Sequence, residues 1–107
     1  MPKFRVTQFE EAERNIDAIY QWIAERSPEG AIRWFGALMR KLGELADDAE
    51  RFPLAPESQL FDTAIRDASF STRGGHRYRI LFTIDGDDVS VLFVRAPGQD
   101  RVTRSDD

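Results

Sequence analysis

Six residues in the C-terminal half have side chains that could act on a charged substrate or partner. In chain order they are Arg66, Arg73, His76, Arg77, Arg79 and Arg95. Guanidinium groups bind phosphates and carboxylates through paired hydrogen bonds, and a histidine can exchange a proton near neutral pH. These residues could therefore hold a phosphate group for chemistry, or bind the acidic side chains of another protein.

The charge of the chain is unevenly divided. The formal net charge is −4, and thirteen of the fifteen basic residues are arginines. Residues 9–57 carry eleven acidic and six basic side chains, whereas residues 65–104 carry seven arginines and five acidic side chains. A basic half on an acidic protein indicates an anionic partner.

Several classes of protein are excluded by composition. The chain has no cysteine, which excludes a disulfide scaffold, a thiolate metal site and a cysteine nucleophile. With His76 as its single histidine, the chain is predicted to bind no metal and no other cofactor. No segment approaches the roughly 20 apolar residues that span a bilayer, and the N-terminus lacks a signal-peptide core. We therefore expect a cytoplasmic protein without membrane contact.

The N-terminal part predicts a short strand followed by a helix. Polar and apolar residues alternate over residues 3–7, which is typical of a strand with one buried face. Thr7 and Glu10 fit a capping box at a helix start. Apolar residues then recur every three or four positions from 9 to 23, which predicts an amphipathic helix.

A second helix is predicted directly after the first. Ser27 is a favourable N-cap, and Pro28 suits the first helical position because its missing N–H costs nothing there. The apolar period continues from 31 to 45, so the helix should end near Ala49, before Pro53. The short link predicts a helical hairpin.

The aromatic residues of these helices are expected mainly in the core. This applies to Trp22, Trp34 and Phe35. Because Tyr20 and Trp22 are two positions apart on one helix, they cannot both face the sheet. One of the two should therefore be partly exposed.

The C-terminal half predicts three strands after an ordered loop at 54–63. The strands are expected at residues 65–70, 77–84 and 89–94, with turns at 73–76 and 85–88. The fold class is therefore α+β in the order β-α-α-β-β-β, with a helical hairpin packed on one face of a small antiparallel sheet. Residues 1–104 should form one domain, and 105–107 a frayed tail.

The other face of this sheet should be partly open. Arg77 and Arg79 alternate with the apolar row that begins at Tyr78, so they should project from this open face. Arg66 and Arg95 could join them.

Four segments resemble the toxins of the RelE/ParE family. They are Ile16-Asp17-Ala18-Ile19-Tyr20-Gln21-Trp22-Ile23-Ala24; Leu42-Gly43-Glu44-Leu45-Ala46 leading to Phe52-Pro53; Ile65-Arg66; and Tyr78-Arg79-Ile80-Leu81-Phe82 followed by Val89-Ser90-Val91-Leu92-Phe93-Val94-Arg95. The resemblance extends from Phe4 to about Arg101. It implies the toxin of a type II toxin–antitoxin (plasmid stabilisation) module, neutralised by a cognate antitoxin within a toxin–antitoxin hetero-oligomer.

The resemblance implies one of two targets. RelE-like members cleave mRNA on the ribosome, whereas ParE-like members poison DNA gyrase. RelE-like members typically carry a Tyr or His after the last strand, but residues 96–102 have neither. RelE-like members also use lysines of the helical region, where this chain has only Lys41. These departures favour a ParE-like toxin that inhibits growth by binding gyrase rather than by catalysis.

Three functions remain open at this stage. For the gyrase-binding toxin, the expected antitoxin or target contacts are Arg66, Arg73, Arg77, Arg79 and Arg95. For the alternative, an mRNA endoribonuclease, the candidate catalytic residues are Arg66, Arg77, Arg79, Arg95 and His76. The third function is a non-toxic orphan interaction domain.

Overall fold

Four strands and three α-helices follow one another in the part of the chain that the computed structural model describes, residues 2–72 and 76–98. They are β1 (Arg5–Gln8), α1 (Glu10–Arg26), α2 (Pro28–Asp48), α3 (Ser58–Phe61), β2 (Arg66–Ser71), β3 (Arg77–Asp85) and β4 (Asp88–Arg95). A 3-10 turn at Ala49–Arg51 ends the second helix. The predicted β-α-α-β-β-β order is confirmed, with α3 as an additional single turn of helix inside the expected loop.

Two sequence predictions concern residues outside the described ranges. These are the frayed tail at 105–107 and the glycine turn at 73–76, of which only His76 is described.

The sheet is mixed. Its strand order is β1-β4-β3-β2. The predicted antiparallel meander of the last three strands is confirmed, and β1 adds to it in parallel at the edge beside β4. The tight β3–β4 turn contains Gly86 at φ 61°, a left-handed conformation that glycine adopts without strain.

The link between the two long helices forms as predicted. Ser27 adopts an extended conformation, and its side-chain oxygen accepts a 3.0 Å hydrogen bond from the Gly30 N–H. Pro28 is the first residue of α2. One residue therefore ends α1 and caps α2, which fixes the helical hairpin.

The predicted capping box at the start of α1 is wrong. Thr7 lies inside β1, where it pairs with Ser90 of the neighbouring strand, so its hydroxyl does not cap the helix. Phe9 occupies the N-cap position, and its N–H donates to the Val91 carbonyl oxygen at 2.9 Å. Sheet pairing therefore sets the start of α1, and acidic residues in the first turn complement the helix dipole.

The main core lies between the helical hairpin and one face of the sheet. Trp34 is 1% exposed and packs against the Tyr78 ring with centroids 5.7 Å apart. The expected burial of Trp34 is thus confirmed. Trp22 is 58% and Phe35 41% exposed, so their expected place in the core is wrong. Phe35 packs edge-on against Tyr20 across the hairpin instead, at 6.2 Å.

The opposite face of the sheet is partly covered by the segment that precedes β2. Ala55 and Ile65 are buried there together with Leu81 of β3. Ser58 closes this segment, because its hydroxyl donates to the Ile65 carbonyl oxygen at 2.8 Å and accepts from the Ile65 N–H at 2.9 Å. The covering loop lies on the face where the sequence places its arginines.

Candidate functional site

The strand register divides the predicted arginines between the two faces of the sheet. Arg79 pairs with Ser69 and with Arg95, and residues opposite one another on paired strands share a face. Arg77 follows on this face by alternation, as predicted. Arg66 pairs with Phe82 and therefore lies on the helix side. The expectation that Arg66 could join the others on the open face is wrong. The face that Arg66 occupies depends on how β2 is aligned with β3, and the residue pattern of β2 alone does not specify that alignment.

Arg66 binds backbone groups of its own chain. One of its guanidinium nitrogens, Nη1, donates to the Phe52 carbonyl oxygen at 2.6 Å and to the Glu50 carbonyl oxygen at 3.2 Å. Carbonyls at the end of a helical turn lack partners within the helix, and a cation satisfies them well. The geometry gives Arg66 a structural role at the junction of the 3-10 turn and β2.

Arg79 is held by two carboxylates. Its Nη1 and Nη2 donate to the two Glu57 oxygens, each at 2.9 Å, and its Nε donates to Asp67 at 2.8 Å. The Glu57 side chain is fully buried, and the Arg79 side chain is 22% exposed. The hydrogen bonds with Glu57 and then with Asp67 raise the pKa of Arg79. Its guanidinium thus compensates buried negative charge within the fold.

Arg77 and Arg95 lie at the ends of their strands. Arg77 is exposed, and its Nη2 donates to the Ser69 hydroxyl at 2.9 Å. Arg95 is half-buried. The pKa of the Glu11 carboxyl on α1 is held below its ordinary value, first by a hydrogen bond from Arg14 and also by the charge of Arg95. Arg73 lies outside the described residues. Arg77 is therefore the described member of the set that is most accessible to a partner.

Two grooves meet where the helical hairpin lies over the end of the sheet. The first has a volume of about 530 Å³ and the second about 680 Å³. Trp22, His76 and Tyr78 line both. His76, a candidate catalytic residue from the sequence, is exposed. In the first groove it lies beside residues of both long helices. Burial raises the pKa of the Tyr78 hydroxyl.

The first groove is basic. Its lining includes Arg26, Arg33 and Arg40 and no carboxylate. The Arg26 guanidinium stacks over the Trp22 ring at 3.7 Å and donates to the Trp22 carbonyl oxygen at 2.7 Å. Arg33 and Arg40 were not singled out from the sequence. A signal for a basic surface was present in the sequence, because residues 30–43 contain no acidic side chain although the protein as a whole is acidic.

Neither a metal cluster nor a membrane-spanning helix is found in residues 2–72 and 76–98. No three His, Asp or Glu side chains there are grouped as metal ligands. None of the described helices combines the length and apolar character needed to cross a bilayer.

The described residues form a small α+β protein in which two of the predicted site arginines, Arg66 and Arg79, bind groups of the chain itself. The family model described as the ParE toxin of the type II toxin-antitoxin system, parDE, matches residues 7–101. The chain belongs to this family and is a ParE-like toxin by descent.

A solved structure has the same fold. It is described as the chromosomal ParDE TA system from P. aeruginosa, and it superposes with a TM-score of 0.65 at 16% sequence identity. The alignment covers 88% of this chain and 96% of that one. No curated protein gives a significant sequence match.

Proposed function

We propose that this chain is the active toxin of a type II toxin–antitoxin module, which arrests growth in the cytoplasm by binding DNA gyrase and is neutralised by a cognate antitoxin. Family membership supports the toxin class. The observation that favours binding over catalysis is the state of Arg79, whose guanidinium is occupied by Glu57 and Asp67. A phosphate ligand would have to displace a buried carboxylate pair.

The alternative endoribonuclease loses two of its candidate catalytic residues to structural contacts. Arg66 holds backbone carbonyls, and Arg79 holds Glu57. Arg77, Arg95 and His76 are the described candidates that would remain for phosphate chemistry. RNA cleavage also needs cations placed around one phosphate together with a proton donor and acceptor. We therefore favour gyrase binding through exposed residues, Arg77 among them.

Induction of the chain alone in a bacterial host tests this function. We expect growth arrest with filamentation, a DNA damage response and intact mRNA. Purified protein should inhibit supercoiling of relaxed plasmid by purified gyrase, whereas a ribosome–mRNA mixture should stay uncleaved. Rapid mRNA cleavage after induction would contradict gyrase binding and support the nuclease, and growth without any defect would support the orphan interaction domain.

The functional unit is residues 1–104 in this proposal. A chain that ends at Arg104 should therefore arrest growth as strongly as the full chain. Loss of arrest on removal of Ser105, Asp106 and Asp107 would show that the last three residues belong to the functional part.

A further inference from the structure

The first groove, named the basic groove below, is lined by arginines whose charge the chain does not neutralise. Arg33 and Arg40 belong to its lining, and both are exposed. In the part of the chain that the structure describes, no hydrogen bond or ion pair joins either of them to an acidic group. Arg26, the third arginine of the groove, has one acidic neighbour, Glu25 at 3.6 Å. The groove therefore presents two uncompensated cations to a ligand.

The basic groove is also lined by a buried donor that lacks an acceptor. Trp34 contributes to the lining and is 1% exposed, and its Nε1 has no hydrogen-bond partner among residues 2–72 and 76–98. The Tyr78 hydroxyl is a further possible donor in the same lining. Buried N–H groups in native proteins nearly always have an acceptor. A ligand that carries several oxygens would supply one here.

The second groove, named the apolar groove, has a different character. Its lining includes Ala18, Ile19, Ala96 and Pro97, and none of its described lining residues is an arginine or a carboxylate. Trp22 lines both grooves and is 58% exposed, so an indole ring lies where they meet. Nucleic-acid bases stack on exposed aromatic side chains of this kind. The apolar groove thus suits the flat ring of a ligand whose charged part lies in the basic groove.

The geometry points to a binding site for a nucleoside triphosphate, with the phosphates at Arg33 and Arg40 in the basic groove and the base beside Trp22 in the apolar groove. The volumes of about 530 and 680 Å³ are those of small-molecule sites. Arg33 and Arg40 lie two turns apart on α2, roughly 10 Å along the helix axis. Such a spacing suits a chain of phosphates better than a single phosphate.

The charge of the chain favours a small ligand over a nucleic acid. The formal net charge is −4, and nucleic acids bind to positive surfaces that extend along many phosphates. The acid-free stretch 30–43 gives a local positive region, which is enough for one polyphosphate. This inference goes beyond the proposed function and does not depend on it, because neither gyrase nor an antitoxin takes part in the binding.

Isothermal titration calorimetry of the purified full chain tests the site with three probes in the presence of EDTA. The probes are ATP, adenosine and inorganic tripolyphosphate. We expect ATP to bind saturably, and the other two to bind at least about tenfold more weakly because each fills one groove only. No binding of ATP, or equal affinity for ATP and tripolyphosphate, would overturn the proposal. Tighter binding of a single-stranded oligonucleotide than of ATP would also overturn it, in favour of a nucleic-acid surface.

The double variant Arg33→Gln and Arg40→Gln tests the phosphate end. Its Kd for ATP should weaken by about tenfold, which corresponds to about 1.4 kcal/mol, while its affinity for adenosine should not change. The matched control is Arg5→Gln with Arg14→Gln, which removes the same charge from exposed ion pairs outside both grooves. This control should bind ATP within about twofold of the wild type. Equal weakening in the two doubles would indicate a general charge effect and refute the site.

The variant Ala18→Phe tests the base end. Ala18 is an exposed residue of α1 in the lining of the apolar groove, so a phenylalanine there fills part of the groove without entering the core. We expect about tenfold weaker binding of ATP and unchanged binding of tripolyphosphate. Gln21→Phe adds the same ring at an exposed α1 position outside both linings and should bind ATP as the wild type does. Equal ATP affinity of the two phenylalanine variants would contradict a base in the apolar groove.

Discussion

Arg79 of β3 and Glu57, which lies 22 positions earlier in the chain, are joined by two parallel hydrogen bonds of 2.9 Å. Glu57 belongs to the loop that partly covers the far face of the sheet, which is the face opposite the helical hairpin. The Glu57 side chain is fully buried. The pair therefore anchors this loop to the middle strands. An arginine that the sequence offered as a ligand for an external anion binds an internal one instead.

Glu57→Gln should destabilise the fold strongly. The substitution removes one of the two carboxylates that compensate a guanidinium exposed by only 22%. Because Asp67 remains as the second, the cost should lie near the lower end of the roughly 3–5 kcal/mol for a buried pair broken from one side. The free energy of unfolding, measured by urea denaturation, should fall by this amount. The triple replacement Glu57→Leu, Arg79→Met and Asp67→Asn should recover much of the loss, because it removes all three charges of the network.

Asp88→Asn is the matched control for the buried pair. It removes the partner of Arg5, in an ion pair whose side chains are 75% and 56% exposed. Exposed pairs are screened by solvent and contribute little, so the unfolding free energy should hardly change. Similar losses in Glu57→Gln and Asp88→Asn would show that the buried position of Glu57 has no special importance.

Ser27→Ala should lower stability by about 1 kcal/mol, because it leaves the Gly30 N–H without its capping oxygen at the start of α2. Thr7→Ala should change the unfolding free energy by less than about 0.5 kcal/mol, since Thr7 is an exposed strand residue. Thermal and urea unfolding of both variants measure the difference. A larger cost for Thr7→Ala than for Ser27→Ala would reinstate the rejected capping box.

Local signals in the sequence predict the helices and strands well, and non-local pairing accounts for what they miss. Ser27-Pro28 is a local signal and marks the start of α2. Thr7 carries an equally good local signal, but its pairing with Ser90, far along the chain, makes it a strand residue. The alternation of β3 places Arg79 on the correct face, yet nothing local shows that a loop would bring Glu57 over it.

The two tryptophans should report on different environments. Trp34 is 1% and Trp22 58% exposed. In a Trp22→Phe variant, the remaining fluorescence should be blue-shifted and protected from acrylamide, whereas in Trp34→Phe it should be red-shifted and readily quenched. Trp34→Ala should cost roughly 3–5 kcal/mol of stability, as expected for a buried aromatic residue.

Trp22→Ala provides the comparison for the buried tryptophan. Its loss removes one exposed stacking contact with Arg26, worth about 0.5–1 kcal/mol. Part of the Trp22 side chain is also covered where it lines the two grooves, so the unfolding free energy should fall by more than this contact alone but clearly less than in Trp34→Ala. Equal acrylamide quenching of the two single-tryptophan variants would contradict the burial difference on which both expectations rest.

Arg77→Glu tests the face of the sheet opposite the helical hairpin at an exposed position. Arg77 is exposed and donates to the Ser69 hydroxyl, so its replacement should change stability by less than about 1 kcal/mol. If this face binds gyrase, the variant should fold normally but lose growth arrest and inhibition of supercoiling. Arg14→Glu, an equal charge change on α1, should retain both activities. Full toxicity of Arg77→Glu would remove this face from the gyrase contact and leave the two grooves at the end of the helical hairpin as the next candidate.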